Sequence, residues 1–199
     1  MESVTFLSQD GLKIEAEIFG SSNHIVILAH GKIFNMESWE VFARYLEGQG
    51  FSAMPFNFRG YGNSQSKDTR YELDVIGAIN YALKDHKYVS IVGASMGGAA
   101  TLRALETSEV VDGLVLLSPA GYPKDFSKLS GKAKRALVCF SKEDFVFDIA
   151  NEIARSLPFE SEKVIFDGSL HAQNLFRDPN IAVQLQNKIV ALLHSVERS

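Results

Sequence analysis

The chain has 199 residues, of which 46% are hydrophobic and 22% are charged, a balance typical of a globular domain that can bury a core. Its formal net charge of -4 gives no general attraction to nucleic acid or to an anionic membrane. We therefore expect one domain over residues 1–199 with neither kind of partner, and these counts leave the oligomeric state open.

The N-terminal stretch MESVTFLSQD lacks the charged and apolar regions of a secretory signal. No apolar run approaches the roughly 18 residues that a membrane-spanning helix requires. The sequence therefore predicts a soluble, cytoplasmic protein. Two strand-like runs, SVTFLS and LKIEAEIF, flank the pair Asp10-Gly11, which indicates a β-hairpin.

Beyond the hairpin, short apolar runs alternate with segments that carry apolar residues at helical spacing. The strand-like runs are HIVILA, FSAMPF, YVSIVG, VDGLVLLS, RALVCFS and EKVIFDG. The helix-like segments are MESWEVFARYLEGQG, YELDVIGAINYALKDH, MGGAATLRALETS, FDIANEIARSL and PNIAVQLQNKIVALLHSV. Strands separated by crossover helices form a mainly parallel sheet with helices on both faces. The predicted fold is an α/β domain that opens with an antiparallel hairpin.

The only dense basic stretch is KLSGKAKR, residues 128–135. It contains no interleaved aromatic residues, and a strand-like run follows it directly. We interpret it as a solvated surface loop and not as a nucleic-acid site.

A serine stands at the corner between the strand-like YVSIVG and the following helix, in the sequence Gly93-Ala94-Ser95-Met96-Gly97. Ligands collect at the carboxyl ends of parallel strands, where Ser95 falls. A sharp strand-to-helix turn strains the serine backbone and requires small residues two positions to either side. The alternative is a tight turn that only packs a helix on the sheet, but alanine would serve that purpose as well.

A serine nucleophile needs a base, and the chain offers five histidines. His24 opens a strand, His30 ends one, His86 closes a helix, and His194 lies in the last turn of the C-terminal helix. His171 follows the last strand in the loop SLHAQNLF, at the same predicted edge as Ser95. Although a lone loop histidine is usually an exposed bystander, this placement favours His171 as the base.

The loop after RALVCF holds three candidate acids, Glu143, Asp144 and Asp148. Any of them gives the chain order serine, acid, histidine, which is the order expected of one hydrolase fold.

Five ordered segments resemble the α/β-hydrolase superfamily over nearly the whole chain. GASMGG resembles its nucleophile elbow, LAHG the start of its oxyanion loop, and NFRGYGNS the segment after its fourth strand. FSKEDFV is similar to its acid loop and GSLHAQNLF to its histidine loop.

The resemblance implies a role for each matched residue. Ser95 is the expected nucleophile, His171 the base and Asp144 the acid, because Asp144 matches the family position four residues past the strand. The backbone N–H groups of Lys32 and Met96 are the expected oxyanion hole. His30 would then have a structural role in the loop.

Three residues depart from the family pattern without removing a catalytic group. Asn57 stands where the family usually has Asp, Ala172 follows the histidine where Gly is frequent, and Phe147 occupies a position where Pro is common.

The predicted function is a serine hydrolase that cleaves small carboxylic esters or thioesters through an acyl-enzyme. A peptidase or amidase of the same fold and a non-catalytic ligand-binding or interaction module are the alternatives. We expect no cofactor and no metal, because no His/Cys/Asp/Glu set has ligand spacing.

The expected substrate site is open. Only residues 119–134 separate the strands GLVLLS and RALVCF, which is too short for the helical cap of larger family members. The expected apolar wall is Phe34, Met36, Tyr122 and Phe145, although core packing would explain each of them about as well. A shallow wall predicts a preference for short acyl esters, roughly acetyl to hexanoyl, because each buried CH₂ contributes only about 0.8 kcal/mol.

Overall fold

The computed structural model describes residues 1–198, so the last residue of the expected domain 1–199 lies outside the described residues. The strands are β1 (Glu2–Leu7), β2 (Lys13–Ile18), β3 (His24–Ala29), β4 (Ser52–Phe56), β5 (Tyr88–Ala94), β6 (Val111–Leu117), β7 (Ala133–Ser141) and β8 (Glu160–Phe166). The helices are α1 (Glu40–Gly48), α2 (Glu72–Ala82), α3 (Met96–Leu105), α4 (Phe147–Ser156) and α5 (Pro179–Glu197). Short 3₁₀ helices cover Met36–Trp39, Phe126–Leu129 and Ala172–Arg177.

The eight strands form one sheet in the order β1-β2-β4-β3-β5-β6-β7-β8. β1 pairs antiparallel with β2, and β2 antiparallel with β4. All the other pairings are parallel. The predicted α/β fold with an N-terminal hairpin is therefore confirmed. The hairpin closes at Gly11, whose φ of +85° lies in the left-handed region that glycine adopts without strain.

Helices cover both faces of the sheet. Apolar residues of α2, α3 and α4, among them Val75, Leu102 and Ile153, form one buried layer. Leu46 of α1 and Leu193 of α5 belong to the layer on the opposite face. Because β3 and β5 are covered on both faces, their apolar runs are continuous and not alternating.

The connection between β6 and β7 contains one 3₁₀ turn, Phe126–Leu129, as expected for a chain without a helical cap. β7 begins two residues earlier than the sequence predicted. Lys134 and Arg135, interpreted as the end of a surface loop, therefore lie in this strand. They form ion pairs there with Asp112 and Glu160.

Candidate active site

Ser95 lies at the corner between β5 and α3 with φ 51° and ψ −111°. A non-glycine residue in this region is strained, and the surrounding contacts must hold it. The Ser95 N–H donates to the Leu117 carbonyl at 2.9 Å. A Cβ on Gly93 would lie 2.9 Å from the Gly98 Cα, and one on Gly97 would overlap the backbone of β3. The glycines are therefore required because the helix start is packed directly against the strands.

His171 and Asp144 meet Ser95 at this corner. The His171 Nε2 lies 2.8 Å from the Ser95 Oγ, and the His171 Nδ1 lies 2.9 Å from the Asp144 Oδ1. The structure thus brings the three predicted residues into one hydrogen-bonded chain, which we call the carboxyl-end set. Glu143 is exposed, and Asp148 lies in the first turn of α4, as its position in the sequence suggested.

The Asp144 side chain is fully buried, and burial alone would raise its pKa. Hydrogen bonds from His171, from the Ser118 hydroxyl and from the Val146 N–H outweigh burial and hold the pKa below its ordinary value. The carboxylate therefore stays ionised and fixes the direction of the His171 ring. The Ser118 Oγ also accepts from the Ala172 N–H at 2.9 Å, so one hydroxyl braces both the acid loop and the histidine loop.

Ala172, next to the histidine, has a φ of 52°. Glycine is the residue least strained by such a φ, which gives a physical reason for the frequent glycine at this position of the family pattern. The N–H of Ala172 is held by Ser118, and the Asn174 N–H donates to the His171 carbonyl at 3.0 Å.

The loop after β3 passes against the nucleophile, since a Cβ placed on Gly31 would lie 3.5 Å from the Ser95 Cβ. Within residues 1–198, neither the Lys32 N–H nor the Met96 N–H donates a hydrogen bond. Met96 is the first residue of α3, where a helix leaves its N–H groups without internal partners. Two unpaired donors beside a serine hydroxyl form an arrangement that can bind an oxyanion.

His30 holds this loop through hydrogen bonds to two backbone groups. Its Nδ1 lies 2.8 Å from the Gly31 carbonyl, and its Nε2 accepts from the Phe58 N–H at 3.3 Å. Burial lowers the pKa of His30 to about 4, so the ring is neutral and donates through Nδ1. The Tyr61 hydroxyl donates to the Lys32 carbonyl at 2.9 Å. Tyr61 lies in the segment NFRGYGNS, where no local pattern indicated this contact.

Asn57, the departure from the family pattern at the end of β4, is fully buried. Its Oδ1 accepts from the Met36 N–H at 2.8 Å, and its Nδ2 donates to Glu15. An amide can make both bonds, whereas a carboxylate could only accept. Asn57 therefore links the loop after β3, through Met36, to Glu15 of β2.

A cavity of about 740 Å³ opens above the carboxyl-end set. Met96, Ala99, Ala100 and Arg103 of α3 line it with the spacing of one helical face. Its other lining residues are Lys32, Ile33, Thr69, Tyr71, Glu72, Ser95, Ala120, Phe145, His171 and Asn174. This volume is larger than expected for the shallow substrate site that the sequence predicted.

Of the four expected wall residues, only Phe145 lines the cavity. It is 80% exposed, and its ring centroid lies 4.3 Å from that of His171. The other three predicted wall residues do not line this cavity. Met36 is buried at the start of its 3₁₀ helix, and the Tyr122 hydroxyl bonds Glu152 of α4 at 2.7 Å. The Phe34 N–H closes a turn on the Gly31 carbonyl, and its neighbour Ile33 lines the cavity instead.

A second hydrogen-bonded set of the same residue classes lies at the amino ends of β3 and β5. The His24 Nε2 lies 2.8 Å from the Ser90 Oγ, and the His24 Nδ1 lies 2.9 Å from the Glu197 Oε1. We call these three residues the amino-end set. His24 and Ser90 are buried, and burial lowers the pKa of His24 even though Glu197 opposes this shift.

Among the described residues, no group of three or more His, Cys, Asp or Glu side chains is placed to hold a metal ion. Over the same residues, none of the helices has the length and apolar character needed to span a membrane.

Residues 20–190 match the profile of the family described as Serine aminopeptidase, S33. The AB hydrolase superfamily protein YisY of Bacillus subtilis is 25% identical over 204 aligned residues, which cover 89% of this chain and 74% of that protein. Among solved structures, the esterase Pf2001 of Pyrococcus furiosus matches with a TM-score of 0.80 at 15% identity, over 98% of this chain and 92% of that one. Est1E of Butyrivibrio proteoclasticus, solved with ferulic acid bound, matches with a TM-score of 0.80 at 14% identity, over 98% and 100% of the two chains. At these identities the structural likeness shows the fold alone.

Proposed function

Because the chain belongs to the α/β-hydrolase superfamily, within the family described as Serine aminopeptidase, S33, we propose that it is a serine hydrolase of small carboxylic esters or thioesters. The observation that carries this proposal is the carboxyl-end set, a hydrogen-bonded Ser95–His171–Asp144 chain beside two unpaired N–H groups in an open cavity.

In the proposed mechanism, the His171 Nε2 takes the proton of the Ser95 hydroxyl while the Ser95 Oγ attacks the substrate carbonyl carbon. The carbonyl oxygen gains negative charge and is bound by the N–H groups of Lys32 and Met96. Asp144 stabilises the imidazolium. His171 then protonates the leaving alcohol or thiol, and water, activated by the same base, releases the acid from Ser95.

The cavity supports an ester with an apolar acyl group. Its floor along α3 consists of Met96, Ala99 and Ala100, and Arg103 lies farthest from Ser95 along the helix. Arg103 lies seven positions after Met96 in the helix, a distance of about 10 Å along the axis. Ile33 and Phe145, 83% and 80% exposed, add apolar surface at the rim.

A second candidate is an amidase or aminopeptidase that acts on substrates with a free amino group. A carboxylate that lines the cavity favours it. Glu72 forms no salt bridge within residues 1–198 and can accept the N–H groups of an ammonium or amide.

A fluorophosphonate probe followed by peptide mass spectrometry tests the proposal. We expect one adduct, on Ser95, together with turnover of p-nitrophenyl esters. A protein without adduct or turnover would instead be a non-catalytic binding module.

Matched aminoacyl esters and anilides distinguish the two enzymatic candidates. If Glu72→Gln lowers kcat/KM only for substrates with a free amino group, the second candidate gains support. The single domain and the cytoplasmic location stay predictions.

A further inference from the structure

We propose that Gln173 is a positioning residue for the oxyanion hole, an inference that rests on the proposed hydrolase function. Gln173 follows the base His171 by two residues and is 7% exposed. Its side chain reaches the loop after β3 instead of the acid or the cavity. The Gln173 Oε1 accepts from the Gly31 N–H at 2.8 Å, and the Gln173 Nε2 donates to the Ser38 Oγ at 2.7 Å.

These two bonds hold both ends of the loop. Gly31 stands at its start, immediately before the oxyanion donor Lys32. Ser38 lies at its far end in the 3₁₀ helix, where its hydroxyl donates to the Asn35 carbonyl. One buried amide therefore spans the segment of residues 31–38.

The chemistry of the bonds requires an amide. The Gly31 N–H can only donate, so its partner must be an oxygen. The Ser38 hydrogen is already used on Asn35, so the Ser38 Oγ can only accept from Gln173. Glutamate offers only acceptors, and leucine offers neither group. The same requirement identifies which end of the Gln173 amide is oxygen.

Holding Gly31 fixes the direction of the Lys32 N–H. The Gly31 carbonyl faces the His30 Nδ1 and the Phe34 N–H, at 2.8 and 3.0 Å. In a trans peptide the C=O and the following N–H point to opposite sides, so this anchoring directs the Lys32 N–H away from His30. Gln173 anchors the preceding peptide and limits its rotation.

Gln173 also couples the hole to the base. It belongs to the 3₁₀ helix that begins one residue after His171. A displacement of this helix would move the imidazole and the Gly31 peptide together. The side chain thus keeps the general base and one oxyanion donor in a fixed relative position, which a charge-developing step requires.

The test compares Gln173→Leu, Gln173→Glu and a control, Gln184→Leu, which makes the same change on the exposed side of α5. We expect Gln173→Leu to lower kcat on a p-nitrophenyl ester about 10- to 100-fold with little change in KM, because small misplacements cost up to about this factor. Gln173→Glu keeps the acceptor for Gly31 and should lose less. Gln184→Leu should match the wild type.

A second readout separates positioning from general loss of structure. A trifluoromethyl ketone forms a tetrahedral oxyanion on Ser95, whereas the parent alcohol binds without one. We expect the affinity of Gln173→Leu for the ketone to fall by the same factor as kcat/KM, while its affinity for the alcohol stays within about twofold.

Unchanged kcat, or a fall in kcat without weaker ketone binding, would overturn the proposal. If Gln173→Leu fails to unfold cooperatively, the same comparison is made with Gln173→Glu and with Ser38→Ala, which removes the Nε2 acceptor. Absence of wild-type turnover and of any Ser95 adduct would overturn the proposed function itself. An active wild type with indifferent Gln173 variants would overturn only this inference.

Discussion

Within residues 1–198, two serine–histidine–carboxylate sets with the same hydrogen-bond lengths lie at opposite ends of the parallel strands. In the carboxyl-end set the two links measure 2.8 and 2.9 Å, and in the amino-end set they also measure 2.8 and 2.9 Å. The lengths of these hydrogen bonds alone therefore do not distinguish the two sets.

The surroundings of the two serines differ. Ser95 has a strained backbone, lines a cavity and stands beside two unpaired N–H groups. Ser90 lies inside β5, is completely buried and lines none of the cavities described within residues 1–198. A Cβ added at its neighbour Gly113 would lie 2.7 Å from the Ser90 Oγ, so the space around that hydroxyl is filled. Access and unpaired N–H donors, and not the hydrogen-bonded set itself, therefore distinguish Ser95 from Ser90 as the candidate nucleophile.

Replacing each serine by alanine should give the largest difference in kcat between the two sets. Ser95→Ala should lower ester kcat by about six orders of magnitude, as removal of a nucleophile does in a working triad. Ser90→Ala should leave kcat unchanged and cost about 1 to 3 kcal/mol of stability, because the buried His24 Nε2 loses its partner. Turnover assays and urea unfolding measure the two effects. A fluorophosphonate adduct on Ser90 would refute the distinction.

The acids give the next largest difference. Asp144→Asn should lower kcat by about 10⁴-fold, because the ring of His171 loses its orienting charge. Glu197→Gln, in the amino-end set, should leave kcat unchanged. Neighbouring carboxylates act as controls. Asp148→Asn should cost at most about 1 kcal/mol of stability, because it removes a negative charge from the first turn of α4. A large loss of kcat in Glu143→Gln would show that the acid is misassigned.

Stability should fall as the pH is lowered from 7 to 5. Burial lowers the pKa of His30 to about 4 and also lowers that of His24, from an ordinary value of 6.5. A depressed histidine pKa means that the unfolded chain binds more protons, so stability decreases below pH 6.5 and levels off below the folded pKa. His30 alone accounts for about 2 kcal/mol over this range.

Urea unfolding at the two pH values measures this loss, and we expect His24→Asn to reduce its size. A stability that is constant or higher at pH 5 would contradict the neutral state of both rings.

The smallest expected effect concerns acyl length. The apolar floor above the carboxyl-end set ends at Arg103, so kcat/KM should rise from acetyl to about hexanoyl and then level off. Each further CH₂ that becomes buried is worth at most about fourfold. Arg103→Leu should extend the rise by one or two methylenes, measured with a p-nitrophenyl ester series. A wild-type rate that climbs through dodecanoyl and palmitoyl, or strong activation by micelles, would indicate a deep acyl site instead.

The sequence by itself determined the order of strands and helices, the hairpin at Gly11 and the corner at Ser95. These features follow from short-range rules, because hydrophobic period, glycine at positive φ and strand-to-helix turns are encoded by residues close together in the chain. The order of Ser95, Asp144 and His171 also indicated their meeting at one sheet edge, since parallel strands end on the same side.

Only the tertiary structure decided which side chains line the cavity, how the loop after β3 is held and where a second serine meets a histidine. Phe34, Met36 and Tyr122 were indistinguishable from Phe145 as apolar residues near the site, and long-range packing separated them. Gln173 contacts Gly31 across 142 positions, and His24 contacts Glu197 across 173. No local pattern encodes such pairs, because each bond depends on where two distant backbones come to rest in the folded chain.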